Sequence, residues 1–135
     1  MEHSDGPARD EPLRGADVII QMLAGAGVRR IFALSGNQIM PLFDACLDAG
    51  VDIVHTRHEA ACVYMAEAHA QLTGELGVAL VTAGVGLGNA VGPLFFALSS
   101  ETPVLLLSGD SPIEQDGHGA FQELDQVAMT RAVTR

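Results

Sequence analysis

The chain has 135 residues, a formal net charge of −10 at pH 7, and an apolar fraction of 48%, with 4% aromatic residues and no Trp. This length suits one domain with a core of its own, built mainly from aliphatic side chains and alanine. The seven Lys and Arg residues form no cluster, which argues against nucleic acid or an anionic membrane surface as a partner.

The first 12 residues are polar and predict a disordered tail, so that the domain spans residues 13–135. They lack the apolar segment of a signal peptide, and the apolar runs elsewhere are too short or too broken to cross a bilayer. Cys46 and Cys62 fall on apolar faces of predicted helices, as expected for buried thiols. These features together favour a cytoplasmic protein.

Helical and strand patterns alternate along the whole chain. Helices are predicted where apolar residues recur every three to four positions, at 16–26, 39–48, 58–72 and 90–98, with one more within 121–129. Short apolar runs predict buried strands at 30–34, 51–55, 77–82 and 103–107. This alternation indicates an α/β fold in which a parallel sheet carries helices on both faces.

Right-handed crossovers bring all strand-to-helix connections to one edge of such a sheet, the edge at which ligands bind. The connections are 35–38, 55–59, 83–89 and 108–111. Glycine-rich turns among them allow a ligand to approach the backbone and its N–H groups. The sequence therefore predicts a binding site at this edge.

Glu59 stands at the end of one predicted strand and in the first turn of the next helix. A carboxylate there interacts favourably with the helix dipole, so a glutamate that only stabilises its own helix is the simpler interpretation. Burial would instead favour sharing of a proton with a ligand, which is the basis of acid–base catalysis. Position alone leaves both roles open.

Gly84-Val85-Gly86-Leu87-Gly88 partly mimics a dinucleotide-binding fingerprint. Its spacing is G-x-G-x-G, however, and two βα units precede it where a fingerprint opens the fold. Both observations argue against a nicotinamide or flavin site.

The run from His58 to Cys62 resembles a zinc protease pattern, but Cys replaces the second His and no fourth ligand is apparent. Scattered polar histidines are therefore the better interpretation. Serines at 35, 108 and 111 lack the G-x-S-x-G elbow of a serine hydrolase.

Four stretches of the sequence form one combined pattern. In chain order they are Gly15 to Gly36, Arg57-His58-Glu59 to Thr73-Gly74, Thr82 to Asn89, and Phe121 to Asp125. With them the chain resembles the N-terminal, pyrimidine-binding domain of thiamine diphosphate enzymes of the acetolactate synthase and 2-oxoacid decarboxylase family. The resemblance covers residues 13–135 and implies the thiamine diphosphate-binding fold.

The resemblance implies that Glu59 hydrogen-bonds N1′ of the aminopyrimidine of thiamine diphosphate and thereby promotes loss of the proton from C2 of its thiazolium ring. The implied reaction is decarboxylation of a 2-oxoacid, followed by carboligation. The implied cofactor-binding residues are Gly36, Glu59, Gly84, Val85, Gly86 and Asn89. Those on the substrate side are Asn37, Phe121 and Gln122.

Two departures from the pattern of the acetolactate synthase branch concern the choice of reaction. Val85 stands where these relatives usually have Pro, and Ser35-Gly36-Asn37 where they usually have Pro-Gly-Gly. Neither change removes a functional side chain, but both leave the 2-oxoacid and the acceptor unspecified.

The family binds the diphosphate and Mg²⁺ through a C-terminal domain with a Gly-Asp-Gly motif, which Ser108-Gly109-Asp110-Ser111 does not match. The chain is therefore expected to supply no metal ligand, to be inactive alone, and to join the diphosphate-binding domain of another subunit in a homo-oligomer. The alternatives are a subunit of a two-chain 2-oxoacid decarboxylase and a non-catalytic binding or assembly module.

Overall fold

The computed structural model describes residues 12–135, and the predicted disordered tail lies outside them except for Pro12, which is exposed. Helices and strands alternate through the described residues. The helices are α1 (Gly15–Gly25), α2 (Met40–Ala49), α3 (Glu59–Thr73), α4 (Val85–Ser99) and α5 (Gln126–Thr130). The strands are β1 (Arg30–Ala33), β2 (Asp52–His55), β3 (Gly77–Val81) and β4 (Val104–Ser108). Short 3₁₀ turns at Asn37–Ile39 and Ile113–Gln115 complete the list.

The strands form one parallel sheet in the order β2-β1-β3-β4, which confirms the predicted α/β class. Every residue of β3 is buried, because strands flank it on both sides and helices cover both faces. The outer strands β2 and β4 are only partly buried. The prediction of four buried strands is therefore wrong for these two, since an edge strand has a neighbour on one side only.

Two separate apolar cores lie on the two faces of the sheet, because successive strand side chains point to opposite faces. Ile31 and Leu80 join the core beneath α1 and α2, whereas Phe32 and Val81 join the core beneath α3 and α4. Cys46 is buried in the first core, and burial raises the pKa of its thiol to about 11. Cys62 is buried in the second core, so the two cysteines are free thiols, as predicted.

Two helices differ in extent from the sequence prediction. Helix α4 begins at Val85, five residues before the expected start, so Val85–Asn89 is helical. Helix α5 has only five residues, and Phe121–Asp125 precedes it as a loop. No helix among residues 12–135 is long and apolar enough to span a membrane.

Candidate functional site at the carboxyl edge of the sheet

Glu59 is the first residue of α3 and is half-buried. The helix start is capped by His58, whose Nδ1 accepts a hydrogen bond from the backbone N–H of Ala60 at 3.1 Å. An accepting Nδ1 means that this ring nitrogen carries no proton. The cap fixes the first turn of α3, and therefore the point from which the Glu59 carboxylate extends.

The carboxylate of Glu59 meets the first turns of α4. Its Oε2 accepts a hydrogen bond from Nδ2 of Asn89 at 2.9 Å. A Cβ at Gly86 would lie 3.7 Å from the other carboxylate oxygen, Oε1, and only 2.8 Å from Cγ2 of Thr82. Glycine at position 86 therefore lets the backbone of α4 pass close to both the carboxylate and the end of β3.

Thr82, directly after β3, packs against Gly36 and Gly86, two of the glycines predicted to bind the cofactor. Its side chain occupies the space that a Cβ at Gly36 would need, and it also touches the Cβ position of Gly86. Thr82 Oγ1 donates a hydrogen bond to Oε1 of Gln38 at 2.6 Å, which ties the end of β3 to the connection after β1. Sequence analysis assigned no role of their own to Thr82 and Gln38, although the place of Thr82 between the most apolar strand and the glycines was an available signal.

The turn before α4 depends on an unusual backbone conformation at two residues. Gly84 has φ +60° and ψ −107°, and the backbone carbonyl of Gln122 fills the space of its missing Cβ. Gln122 itself has φ +64°, which is uncommon for a residue other than glycine. The two residues border a cleft of about 330 Å³. The other lining residues are Val85, Gly88, Asn89, Glu123, Leu124 and Met129.

The loop that carries Phe121 and Gln122 is closed by the carboxylate of Glu123. This carboxylate accepts hydrogen bonds from the backbone N–H groups of Gly117 and Ala120. Both contacts stabilise the charged form and lower the pKa of Glu123. The hydrogen bonds thus give this exposed loop a defined shape next to the cleft.

The structure brings most of the sequence-predicted site residues together in two groups that share Asn89. Gly86 and Asn89 lie next to the Glu59 carboxylate. Gly36 belongs to the same group, because the Thr82 side chain packs against both Gly36 and Gly86. The cleft collects Gly84, Val85, Asn89 and Gln122.

Two predicted residues on the substrate side lie apart from these groups. Asn37 is exposed at the start of a 3₁₀ turn. Phe121 is 79% exposed and does not line the cleft.

One prediction about the glycine-rich segment needs correction. Because Val85–Asn89 is helical, the N–H groups of Gly86 and Gly88 donate to the carbonyls of Ala83 and Gly84. These two amides are therefore not presented to a ligand, and Gly86 instead allows the backbone of α4 to pack closely against Thr82.

The histidines near this edge have structural partners. His55 Nδ1 is 2.9 Å from Arg57 Nη1, and its Nε2 is 3.3 Å from Ser35 Oγ. His69, further along α3, packs against the ring of Phe32 with 5.8 Å between centroids. Among residues 12–135, no group of three or more His, Cys, Asp or Glu side chains could hold a metal ion.

The site lies in a parallel α/β domain, at the carboxyl edge of the sheet. It consists of a carboxylate at the start of a helix, flanked by glycines, and these features define the class to which the site belongs. The family model described as "Thiamine pyrophosphate enzyme, N-terminal TPP binding domain" matches residues 13–129, and the chain belongs to this family. The match confirms the resemblance found in the sequence.

Relatives of the chain include proteins named 2-hydroxyacyl-CoA lyase and proteins named acetolactate synthase. A 2-hydroxyacyl-CoA lyase 2 of Danio rerio is 39% identical over 127 residues, which are 94% of this chain and 20% of that protein. The acetolactate synthase isozyme 3 large subunit of Escherichia coli (strain K12) is 38% identical over 126 residues, 93% of this chain and 22% of that protein. The chain thus spans about a fifth of the length of these relatives.

Proposed function

We propose that this chain is the pyrimidine-binding part of a thiamine diphosphate-dependent enzyme that acts on 2-oxoacids by acetolactate synthase-like decarboxylation and carboligation. In this proposal Glu59 activates the cofactor. One observation carries it, namely that the Glu59 carboxylate lies at the start of α4, where Gly86 lets the helix backbone approach it and Asn89 donates a hydrogen bond to it. The relatives named acetolactate synthase support the reaction class.

The residues at this edge fit the pyrimidine end of the cofactor. An aminopyrimidine ring is flat, and the cleft of about 330 Å³ lined by Gly84, Val85 and Asn89 offers space for a ring at this edge. A carboxyl oxygen can share a proton with a ring nitrogen, and Glu59 Oε1 lies beside Gly86 while Oε2 is engaged by Asn89. The donor set therefore suits a neutral, flat heterocycle with a basic nitrogen.

The hydrogen bond between Asn89 and Glu59 determines the role of each carboxyl oxygen of Glu59. Asn89 holds Oε2, which fixes the plane of the carboxyl group and leaves Oε1 to keep a proton at N1′ of the ring. Bound thiamine diphosphate supplies the electron sink for the chemistry. A partner domain covering the half-buried Glu59 would exclude water and strengthen this proton sharing.

The remaining parts of the site lie outside residues 12–135 in this proposal. The diphosphate and Mg²⁺ are held by the diphosphate-binding domain of another subunit in a homo-oligomer, and the isolated chain is inactive. Asn37, Phe121 and Gln122 face the substrate side. Apolar side chains exposed on α3 and α4 support association, namely Tyr64, Met65, Phe95 and Phe96. A cytoplasmic location is part of the same proposal.

A second candidate is a lyase acting on 2-hydroxyacyl-CoA, which the names of several relatives favour. Proteins named 2-hydroxyacyl-CoA lyase 2 from Bos taurus and Homo sapiens are 42% and 40% identical to the chain over 121 residues. Assaying the assembled enzyme with a 2-oxoacid and with a 2-hydroxyacyl-CoA separates the two candidates. Turnover of the 2-hydroxyacyl-CoA alone would replace the first proposal by the second.

The test of the Glu59 role is hydrogen–deuterium exchange at C2 of thiamine diphosphate bound to the assembled enzyme. Glu59→Gln keeps the shape of the side chain but cannot share a proton in the same way, so exchange should slow by about 10²–10⁴-fold. Glu67→Gln, two turns further along α3, is the control and should exchange as the wild type does. Equal exchange in Glu59→Gln and wild type would reduce Glu59 to a helix-start charge.

A further inference from the structure

The side-chain amide of Gln126 joins the carboxyl ends of the two strands β3 and β4. Its Oε1 accepts from the backbone N–H of Gly84 at 3.2 Å and from Ser108 Oγ at 2.9 Å. Its Nε2 donates to the backbone carbonyl of Gly109 at 2.9 Å. The single hydroxyl proton of Ser108 also has the carbonyls of Thr82 and Gly109 within reach, but Gln126 is the shortest contact.

The turn that Gln126 holds cannot maintain its shape by local preference alone. Gly84 lies at positive φ, and the carbonyl of Gln122, also at positive φ, packs directly against its Cα. A non-glycine residue pays a conformational cost for such a backbone, which surrounding contacts must offset. The hydrogen bond from Gly84 N–H to Gln126 Oε1 is a side-chain contact that holds Gly84 in this conformation.

The orientation of Gly84 matters because it is the residue from which α4 departs. Gly86 and Asn89, two and five residues later, are the groups that meet the Glu59 carboxylate. We propose that Gln126 is a positioning residue, whose amide holds the Gly84 turn so that Gly86 and Asn89 stand correctly against Glu59. The functional part of this inference rests on the proposed role of that edge in binding the aminopyrimidine.

The contact pattern also explains why an amide is suited to this position. Oε1 must accept and Nε2 must donate, and a carboxamide does both with one planar group without any change of protonation. Gln126→Glu would keep the acceptor for Gly84 but place a second acceptor against the Gly109 carbonyl. Gln126→Met would keep most of the volume and lose all three hydrogen bonds.

The first measurement is amide hydrogen exchange of the chain, followed by NMR. In Gln126→Met, Gly84 N–H should exchange about tenfold faster than in the wild type, because one hydrogen bond to it is lost. Protection of Val81 N–H in β3 should remain unchanged. Gln126→Glu retains the acceptor and should restore Gly84 to within about threefold of the wild-type rate. Unchanged Gly84 exchange in Gln126→Met would overturn the inference.

Two further variants keep this measurement decisive. Gln71→Met is the matched control, since Gln71 is an exposed glutamine whose Nε2 is hydrogen-bonded to Glu67 and Thr102 on the α3 side of the fold. It should leave Gly84 exchange as in the wild type. If Gln126→Met does not fold, Gln126→Asn, one methylene shorter, replaces it with the same expected loss at Gly84.

The second measurement is titration of the chain with millimolar thiamine diphosphate, followed through the Gly86 amide resonance. The affinity for thiamine diphosphate should fall about fivefold in Gln126→Met, because the loosened Gly84 turn holds the binding conformation for a smaller fraction of the time. The affinity should stay unchanged in Gln71→Met. Wild-type affinity in a variant whose Gly84 exchange is fast would overturn the positioning role but leave the proposed function standing. Equal binding by Glu59→Gln and wild type would instead overturn the proposed function, and the exchange measurement would still test the Gln126 contact.

Discussion

The carboxylate of Glu59 and the side-chain amide of Asn89 meet across the starts of two neighbouring helices, with 2.9 Å between Oε2 and Nδ2. The two residues are 30 positions apart in the chain, and the side-by-side packing of α3 and α4 brings them together. Because Asn89 also lines the 330 Å³ cleft, it connects the carboxylate to the space in which a ligand would lie.

Asn89→Ala should slow C2 exchange of the bound cofactor in the assembled enzyme by about tenfold, less than Glu59→Gln does. The reason is that the carboxyl group remains but loses the hydrogen bond that fixes its plane, a contact worth roughly 1–3 kcal/mol when the acceptor is charged. Gln21→Ala, an exposed amide on α1, is the control. An Asn89→Ala enzyme as fast as wild type would show that the carboxylate is oriented by the cofactor alone.

Gly77→Ala should destabilise the domain by about 2–3 kcal/mol, because a Cβ there would overlap the backbone carbonyl of Ala66 in α3. Neither group is at the end of a flexible side chain, so the helix must move off the sheet. Gly92→Ala in α4 is the matched substitution, since nothing lies within 4 Å of its Cβ position. It should stabilise the domain by about 0.5–1 kcal/mol through helix propensity. Urea unfolding measures both, and a neutral Gly77→Ala would contradict the close approach of α3 to β3.

The parallel α/β architecture was predictable from the sequence because periodicity in the apolar residues reports local geometry. The four strands and the helices 16–26, 39–48 and 58–72 were placed within about two residues, since glycines such as Gly50 and Gly74 end helices in the left-handed conformation. The start of α4 was misplaced by five residues because its first turns contain two glycines, which pattern analysis assigns to a loop.

The site itself was only partly accessible to sequence reasoning. Glu59 and the glycines are recognisable by position, because a strand end followed by a helix start is a local pattern. Thr82 and Gln126 act through contacts that span 44 and 42 residues, to Gln38 and to Gly84. No local pattern contains such pairings, and they emerge only when the order of the strands is known.

Acidification should release the loop around Phe121 and Gln122. The folded-state pKa of Glu123 lies below its ordinary value of 4.5, because the N–H groups of Gly117 and Ala120 stabilise its carboxylate. The stabilisation is therefore complete above pH 4.5 and is lost as the pH falls through the lowered pKa. The protection factors of the Gly117 and Ala120 amides, measured by NMR exchange relative to the intrinsic rate at each pH, should fall over that window. Glu123→Gln should show low protection at neutral pH already, and a pH-independent protection factor in the wild type would contradict this assignment.

Self-association should depend on the aromatic side chains exposed on α4. Phe95 and Phe96 are 54% and 53% exposed, and Phe96 packs against Tyr64 of α3 with 6.0 Å between ring centroids. An exposed apolar surface of this kind favours pairing with a second copy or a partner domain. Light scattering of the chain at high concentration should show oligomers that Phe95→Ser with Phe96→Ser converts to monomers.

Met22→Ser is the control for that measurement, since Met22 is an exposed apolar residue of α1, a helix of the opposite layer. It should leave the oligomers intact. A monomeric wild type at high concentration would contradict association through this surface.

Thiamine diphosphate should bind the chain alone only weakly, with a dissociation constant of about a millimolar or higher, and Mg²⁺ should not improve it. Mg²⁺ binds through carboxylates together with the phosphates of its ligand, and residues 12–135 offer no cluster of three or more acidic or other metal-binding side chains. The contacts of Glu59, Gly84 and Gly86 with the pyrimidine would then supply all of the binding free energy. Isothermal titration calorimetry with and without Mg²⁺ measures this, and Glu59→Gln should weaken the remaining affinity further. Tight, Mg²⁺-dependent binding by the isolated chain would mean that the diphosphate is anchored here, and that the site has been assigned to the wrong end of the cofactor.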